Sequence, residues 1–77
     1  MEDQAYIDAC NKSLQDSINE ELDGRARIRN FRCNPTINPV VYEYQVFKPG
    51  QKKGRQCAFT QPMELCVDDL VALILAP

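Results

Sequence analysis

The chain contains no histidine, which removes Ser-His and Cys-His nucleophilic pairs and every imidazole metal ligand together. It has no tryptophan either. Six other aromatics, Tyr6, Phe31, Tyr42, Tyr44, Phe47 and Phe59, are enough to seed one small core. Of the three glycines, Gly50 and Gly54 form a pair that no Lys-Ser or Lys-Thr follows, so the phosphate-loop and dinucleotide patterns are both missing. The longest apolar run, Leu70 to Ala76, falls far short of the ~20 residues that a membrane-spanning helix needs. The first residues, Met1, Glu2, Asp3 and Gln4, lack the basic and apolar regions of a secretory signal and the glycine of a myristoylation signal. A soluble, cytoplasmic protein with no membrane partner is therefore expected.

Four cysteines are present, Cys10, Cys33, Cys57 and Cys66, and four allow three disulfide pairings. Their wide spacing lacks the C-x₂₋₄-C chelate of structural zinc sites, so no metal is expected. Cys10 and Cys66 lie on apolar helical stripes and Cys57 alternates in phase with Phe59, the behaviour of reduced core thiols. One or two bridges remain the alternative. The adjacent Asp68 and Asp69 would point ~100° apart on a helix and make a poor acid-base pair. No set of residues accepts assignable catalytic roles, so the chain is read as non-enzymatic and without a cofactor.

What is present is charge, unevenly spread. Arg25, Arg27, Arg29, Arg32, Lys48, Lys52, Lys53 and Arg55 face Glu43 alone in the middle block, a net +7. The residues before it carry −6 and those after it −3, giving −2 for the whole chain. At 77 residues this is one domain, which buries only ~60% of its unfolded surface.

Hydrophobic periodicity divides the chain into five elements. Ile7, Cys10, Leu14, Ile18 and Leu22 recur every three or four residues and predict a helix over about 3–22, stopped at Gly24. Glu20, Glu21 and Asp23 crowd its negative end, which calls for nearby cations, most simply Arg25 and Arg27. Residues 25–33 read as a strand whose phase slips, so a bulge near Arg29 and Asn30 is expected to return Phe31 and Cys33 to the buried side. Two Asn-Pro steps mark a loop, with Ile37 exposed at its tip. Residues 40–48 alternate clearly and are apolar on both faces, which predicts a central strand. A basic turn from Lys48 to Arg55 leads to a third strand over about 55–60. Pro62 at a first helical position and Glu64 in the first turn start a last helix over about 62–75. Met63, Cys66, Val67, Leu70, Val71, Leu73 and Ile74 form its broad apolar face, which makes it the main core donor.

The expected fold is a small α+β domain of αβββα order, a three-stranded antiparallel sheet with both helices packed on one face. Double-stranded RNA-binding domains share this order. Where they carry a lysine cluster at the start of the last helix, this chain has Gln61, Pro62, Met63 and Glu64, so topology alone assigns no family.

One face of such a sheet stays open. The residues expected to dock a partner there are Arg25, Arg27, Arg29 and Phe47, extended at one end by Lys48, Lys52, Lys53 and Arg55. Ile37, Leu65, Asp68 and Asp69 are secondary interface candidates. A larger protein or protein complex is the expected partner, with the chain acting as an inhibitor or adaptor. Sequence-tolerant binding of RNA or DNA by the same surface is the alternative, since arginines two apart on a strand repeat at about 6.5–7 Å, close to the phosphate spacing of an extended backbone. A second copy of the chain is a further candidate, suggested by apolar residues outside the expected core.

Overall fold

The computed structural model describes residues 4–34 and 36–76. Its elements run α1 (Gln4–Leu22), β1 (Arg27–Asn34), β2 (Val40–Phe47), β3 (Arg55–Gln61) and α2 (Val67–Leu75). The strands form an antiparallel sheet in the order β1-β2-β3, and the two helices lie on one face of it and touch each other. This is the αβββα architecture that the periodicities predict. Strand β2 is central, and its burial alternates without interruption along all eight residues.

The phase slip in β1 is a bulge. Its register against β2 shifts between Arg29 and Arg32, and Asn30 takes a left-handed φ of 56°, which Asn tolerates better than most residues. The Asn30 side chain donates a 2.7 Å hydrogen bond to Gln45 Oε1, holding the extra residue against β2. The consequence is geometric. Ile28, Phe31 and Cys33 all reach the core, while Arg29 and Arg32 both stay outside it.

The core joins Ile18 and Leu22 of α1, Leu70 and Ile74 of α2, and the inner face of β1 and β2. Its centre is aromatic. The Tyr42 ring stacks on Phe59 at 5.3 Å and leans on Phe31 at 6.3 Å, separations at which aromatic pairs attract beyond their buried area. The Tyr42 hydroxyl accepts a 2.7 Å hydrogen bond from the Leu65 N–H, so a buried phenol is satisfied by the segment that leads into α2.

That segment corrects the sequence reading. The last helix begins at Val67, with Cys66 as its N-cap residue, and residues 62–66 run irregularly across the end of the sheet. Met63 is 73% exposed and Cys66 is exposed. Only Leu70 and Ile74 are fully buried on α2, so the strands and α1 supply most of the core. Leu65 lies partly buried against the core. It is a structural residue with its N–H fixed on Tyr42.

α1 does more than bury a stripe. Next to Leu14 and Ile18 runs a row of amides, Asn11, Gln15 and Asn19, that meets the outer edge of β1. Asn19 receives the Ile28 N–H at 2.8 Å and returns its own N–H to the Ile28 carbonyl at 3.0 Å. Gln15 receives the Phe31 N–H at 3.0 Å and Asn11 the Cys33 N–H at 3.2 Å. The row spaces its amides four residues apart, on one helix face, and acts as a partial substitute for a fourth strand, taking the outward N–H groups of Ile28, Phe31 and Cys33.

All four cysteines are free, with Cys33 buried and Cys66 exposed. Burial pushes the Cys33 thiol and the Tyr42 and Tyr44 phenols above their ordinary values of 9.0 and 10.0. The Leu65 N–H partly opposes this at Tyr42, as Arg55 does at Tyr44. The folded chain thus holds these protons more tightly than the unfolded chain, so stability has a negative slope with pH wherever the unfolded groups ionise first. The contribution is complete below pH 9.0 and is lost as pH rises through 10.0 and on toward the folded values. The urea midpoint is therefore expected to hold steady near neutral pH and to fall as pH rises through 9.0 and 10.0, the ordinary values of these groups. A flat midpoint across that range would show that these groups ionise alike in both states.

Candidate functional site

Both described helices pack on the core side of the sheet, which leaves its other face uncovered among the described residues. Its side chains follow from register, because residues paired directly across strands share a face. The rows are Arg27 with Phe47; Arg29 with Gln45 and Gln56; Arg32 with Glu43 and Ala58; and Asn34 with Val41 and Thr60. Three exposed arginines, Arg27, Arg29 and Arg32, therefore stand in a column along β1, with Glu43 as the one acid in these rows. Among the described residues, hydrogen bonds from arginine side chains are confined to Arg25.

Arg25 is the first correction to the expected site. Its Nε donates to the Leu22 carbonyl at 2.9 Å and its terminal nitrogen to the Glu21 carbonyl at 2.8 Å, so it caps the C-terminus of α1, where cations belong. It precedes β1 and lies off the open face. Arg27 does not join it there. Its guanidinium carbon lies over the Phe47 ring, 5.5 Å from the centroid, a cation–π arrangement. Arg55 is the second correction. It pairs with Val46, which puts it on the helix side of β3 beside Tyr44. Arg32 is the residue that sequence reasoning left out of the site. The signal for it was the bulge itself, since one extra residue after Arg29 carries Arg32 to the same side.

Phe47 is half-buried and held in place. Arg27 lies over its ring, and Gly54 passes so close beneath the far end that a Cβ there would fall 2.7 Å from Cζ. The absence of a side chain at Gly54 lets the basic turn fold back onto the sheet. Lys48, Lys52 and Lys53 are exposed in that turn, continuing the positive surface from the Arg27–Phe47 row.

At the other end, an open groove of about 900 Å³ runs along β1 between α1 and the exposed face. Arg29 and Arg32 border it on the sheet side, Asp8 and Lys12 on the helix side, and Ile37 closes it near the loop. Ile37 is 50% exposed, the position its sequence context predicts. Asp68 and Asp69 are exposed in the first turn of α2, where acids complement the helix dipole. This structural role accounts for both, and they lie away from the arginine column. Among the described residues no group of three or more cysteines and carboxylates comes together as a metal site, and no helix is long and apolar enough to cross a membrane.

No family model, curated protein or solved structure matches this chain.

Proposed function

We propose that this protein is a non-enzymatic binding module that docks on an acidic surface of a larger protein through the open sheet face and the Lys48–Lys53 turn, acting as an inhibitor or adaptor. One observation carries the reading: Arg27, Arg29 and Arg32 form a column on an uncovered sheet, with no carboxylate hydrogen-bonded to any of them among the described residues. Concentrated charge of one sign on a rigid scaffold steers association and selects a complementary partner. Arginine suits the task because its planar fork pairs with carboxylates two bonds at a time.

Nucleic-acid binding by the same surface is the weaker reading. Single-strand binders offer free aromatic faces on which bases stack, whereas Arg27 already lies over the Phe47 ring. The remaining open-face residues of β2 and β3, such as Gln45, Gln56 and Thr60, can reach a protein surface equally well.

The test is capture from a lysate of the native host, with and without nuclease, by the wild-type chain and by an Arg29→Glu, Arg32→Glu double variant. Both positions are exposed, so the variant should fold. The expected result is a protein retained through nuclease treatment and lost, by ~10-fold or more, on charge reversal. Release by nuclease would transfer the surface to nucleic acid. Capture indifferent to charge reversal would remove the open face as the docking site.

A further inference from the structure

The two edges of this sheet are treated differently. The β1 edge is closed by the amide row of α1, while β3 is the last strand on the other side. Which β3 groups face outward follows from the hydrogen bonds already described. Ile28 turns both its N–H and its C=O toward Asn19, so the Ile28–Val46 pair exchanges no hydrogen bonds. Val46 must then bond to Arg55, its partner on the other side. Alternation along an antiparallel ladder turns Arg55, Cys57, Phe59 and Gln61 toward β2. It leaves the N–H and C=O of Gln56, Ala58 and Thr60 pointing out of the sheet.

Native edges are usually blunted by lysine, proline, a bulge or a covering element. Among the described residues β3 has none of these. Its sequence, Arg55–Gln61, is RQCAFTQ, its register against β2 is continuous, and its one charge sits at its end. On the helix side an open groove of about 430 Å³ lies between β3 and α2, lined by Cys57, Phe59, Leu73 and Ile74 together with the polar Arg55 and Gln61. Leu73 is 47% exposed there. An unpaired edge beside a half-covered groove with an apolar floor is the geometry of strand addition.

We propose that β3 pairs antiparallel with β3 of a second copy, about a two-fold axis at Ala58, making one continuous six-stranded sheet. The outward groups of β3 are self-complementary about Ala58. With Ala58 opposite Ala58 of the second copy, Gln56 falls opposite Thr60 and Thr60 opposite Gln56. Every outward group on both edges is then satisfied, by two hydrogen bonds at each of these three pairs. A shift by two residues in either direction leaves some of them unpaired. In the same register Cys57 meets Phe59 of the second copy on the helix side, joining the two apolar grooves. Charge agrees as well: Arg55, the one charge of the strand, meets neutral Gln61 of the second copy, so no cation opposes another within the paired strands. A two-fold dimer interface must be self-complementary in this sense.

The pairing leaves the open face continuous. The neutral residues Gln56, Ala58 and Thr60 lie at its centre, and the two arginine columns lie on opposite flanks, five strand spacings or about 24 Å apart.

Equilibrium sedimentation of the full chain in reductant tests this, with reductant present to exclude a disulfide through exposed Cys66. The wild type is expected to be a dimer. Ala58→Lys and Ala58→Glu each set like charges face to face at the axis, so each alone is expected to be a monomer with unchanged circular dichroism. Their equimolar mixture should regain the dimer, because opposite charges then meet. Ala58→Pro removes only an outward N–H and should also dissociate the dimer. A monomeric wild type at all accessible concentrations would overturn the proposal. So would a dimer that survives in Ala58→Lys, or charge variants that fail to recombine when mixed. None of these readouts involves a docking partner, so the proposal stands or falls separately from the function of the arginine face.

Discussion

Asn19→Ala is expected to destabilise the fold by about 2–4 kcal/mol, although the residue contributes nothing to the hydrophobic core. Ile28 is fully buried, and its N–H and C=O at the sheet edge both end on the Asn19 amide. Alanine leaves a donor and an acceptor together without partners, each at about 1–3 kcal/mol when water cannot reach it. Better helix propensity returns only about 0.5 kcal/mol. Against a total of roughly 4–12 kcal/mol for a chain of this length, the loss is a large share. Asn19→Asp separates the two bonds, because a carboxylate still accepts from the Ile28 N–H but has no hydrogen for the carbonyl. Its cost should fall between those of wild type and alanine, and should shrink as pH drops and the carboxyl gains a proton. Urea denaturation of the three proteins gives the answer. An alanine variant within about 0.5 kcal/mol of wild type would mean that water reaches the β1 edge and the amide row is dispensable.

Tyr42→Ala is expected to cost about 3–5 kcal/mol, a large share of the stability of a domain this size. The ring is 1% exposed and lies between Phe31 and Phe59, so its removal opens a cavity that rigid strands cannot close. Tyr42→Phe keeps the ring and removes the acceptor of the Leu65 N–H together with the hydroxyl's contact with the Cys33 thiol. That loss should cost about 1–2 kcal/mol. It should appear locally as faster amide hydrogen exchange at Leu65, where the chain crosses into α2. If Tyr42→Phe proved as damaging as Tyr42→Ala, the hydroxyl would be the larger contributor and the aromatic stack incidental. If it cost nothing, the approach to α2 would be held by packing of Leu65 alone.

Alternation places the Tyr42 ring in the core, but the amide row and the Leu65 N–H are groups that periodicity ranks low or misplaces. Asn11, Gln15 and Asn19 are visible in the sequence as polar residues flanking an apolar stripe, and polar flanks of surface helices are ordinarily solvated. Nothing local distinguishes an amide that faces water from one that faces a strand edge. The start of α2 departs from the local pattern for a related reason. Pro62 and Glu64 satisfy the local rules for a helix start, but the Leu65 N–H is drawn to a phenol on a distant strand. A contact 23 residues away overrides a local preference of a few tenths of a kcal/mol.

The arginines divide along the same line. Arg27 and Arg29 could be placed on the open face from alternation alone. Arg32 joins them through the bulge, Arg55 leaves them because of its pairing, and Arg25 is held by helix carbonyls.

The sequence by itself determined the order of the elements, the central position of β2, the bulge in β1 and the concentration of positive charge, because these follow from periods of 2 and 3.6 and from counting. Only the tertiary structure decided that α1 seals one edge of the sheet and leaves the other open. Backbone hydrogen-bonding capacity is the same at every non-proline residue, so no pattern of side chains along the chain records which edge will find a partner within the fold.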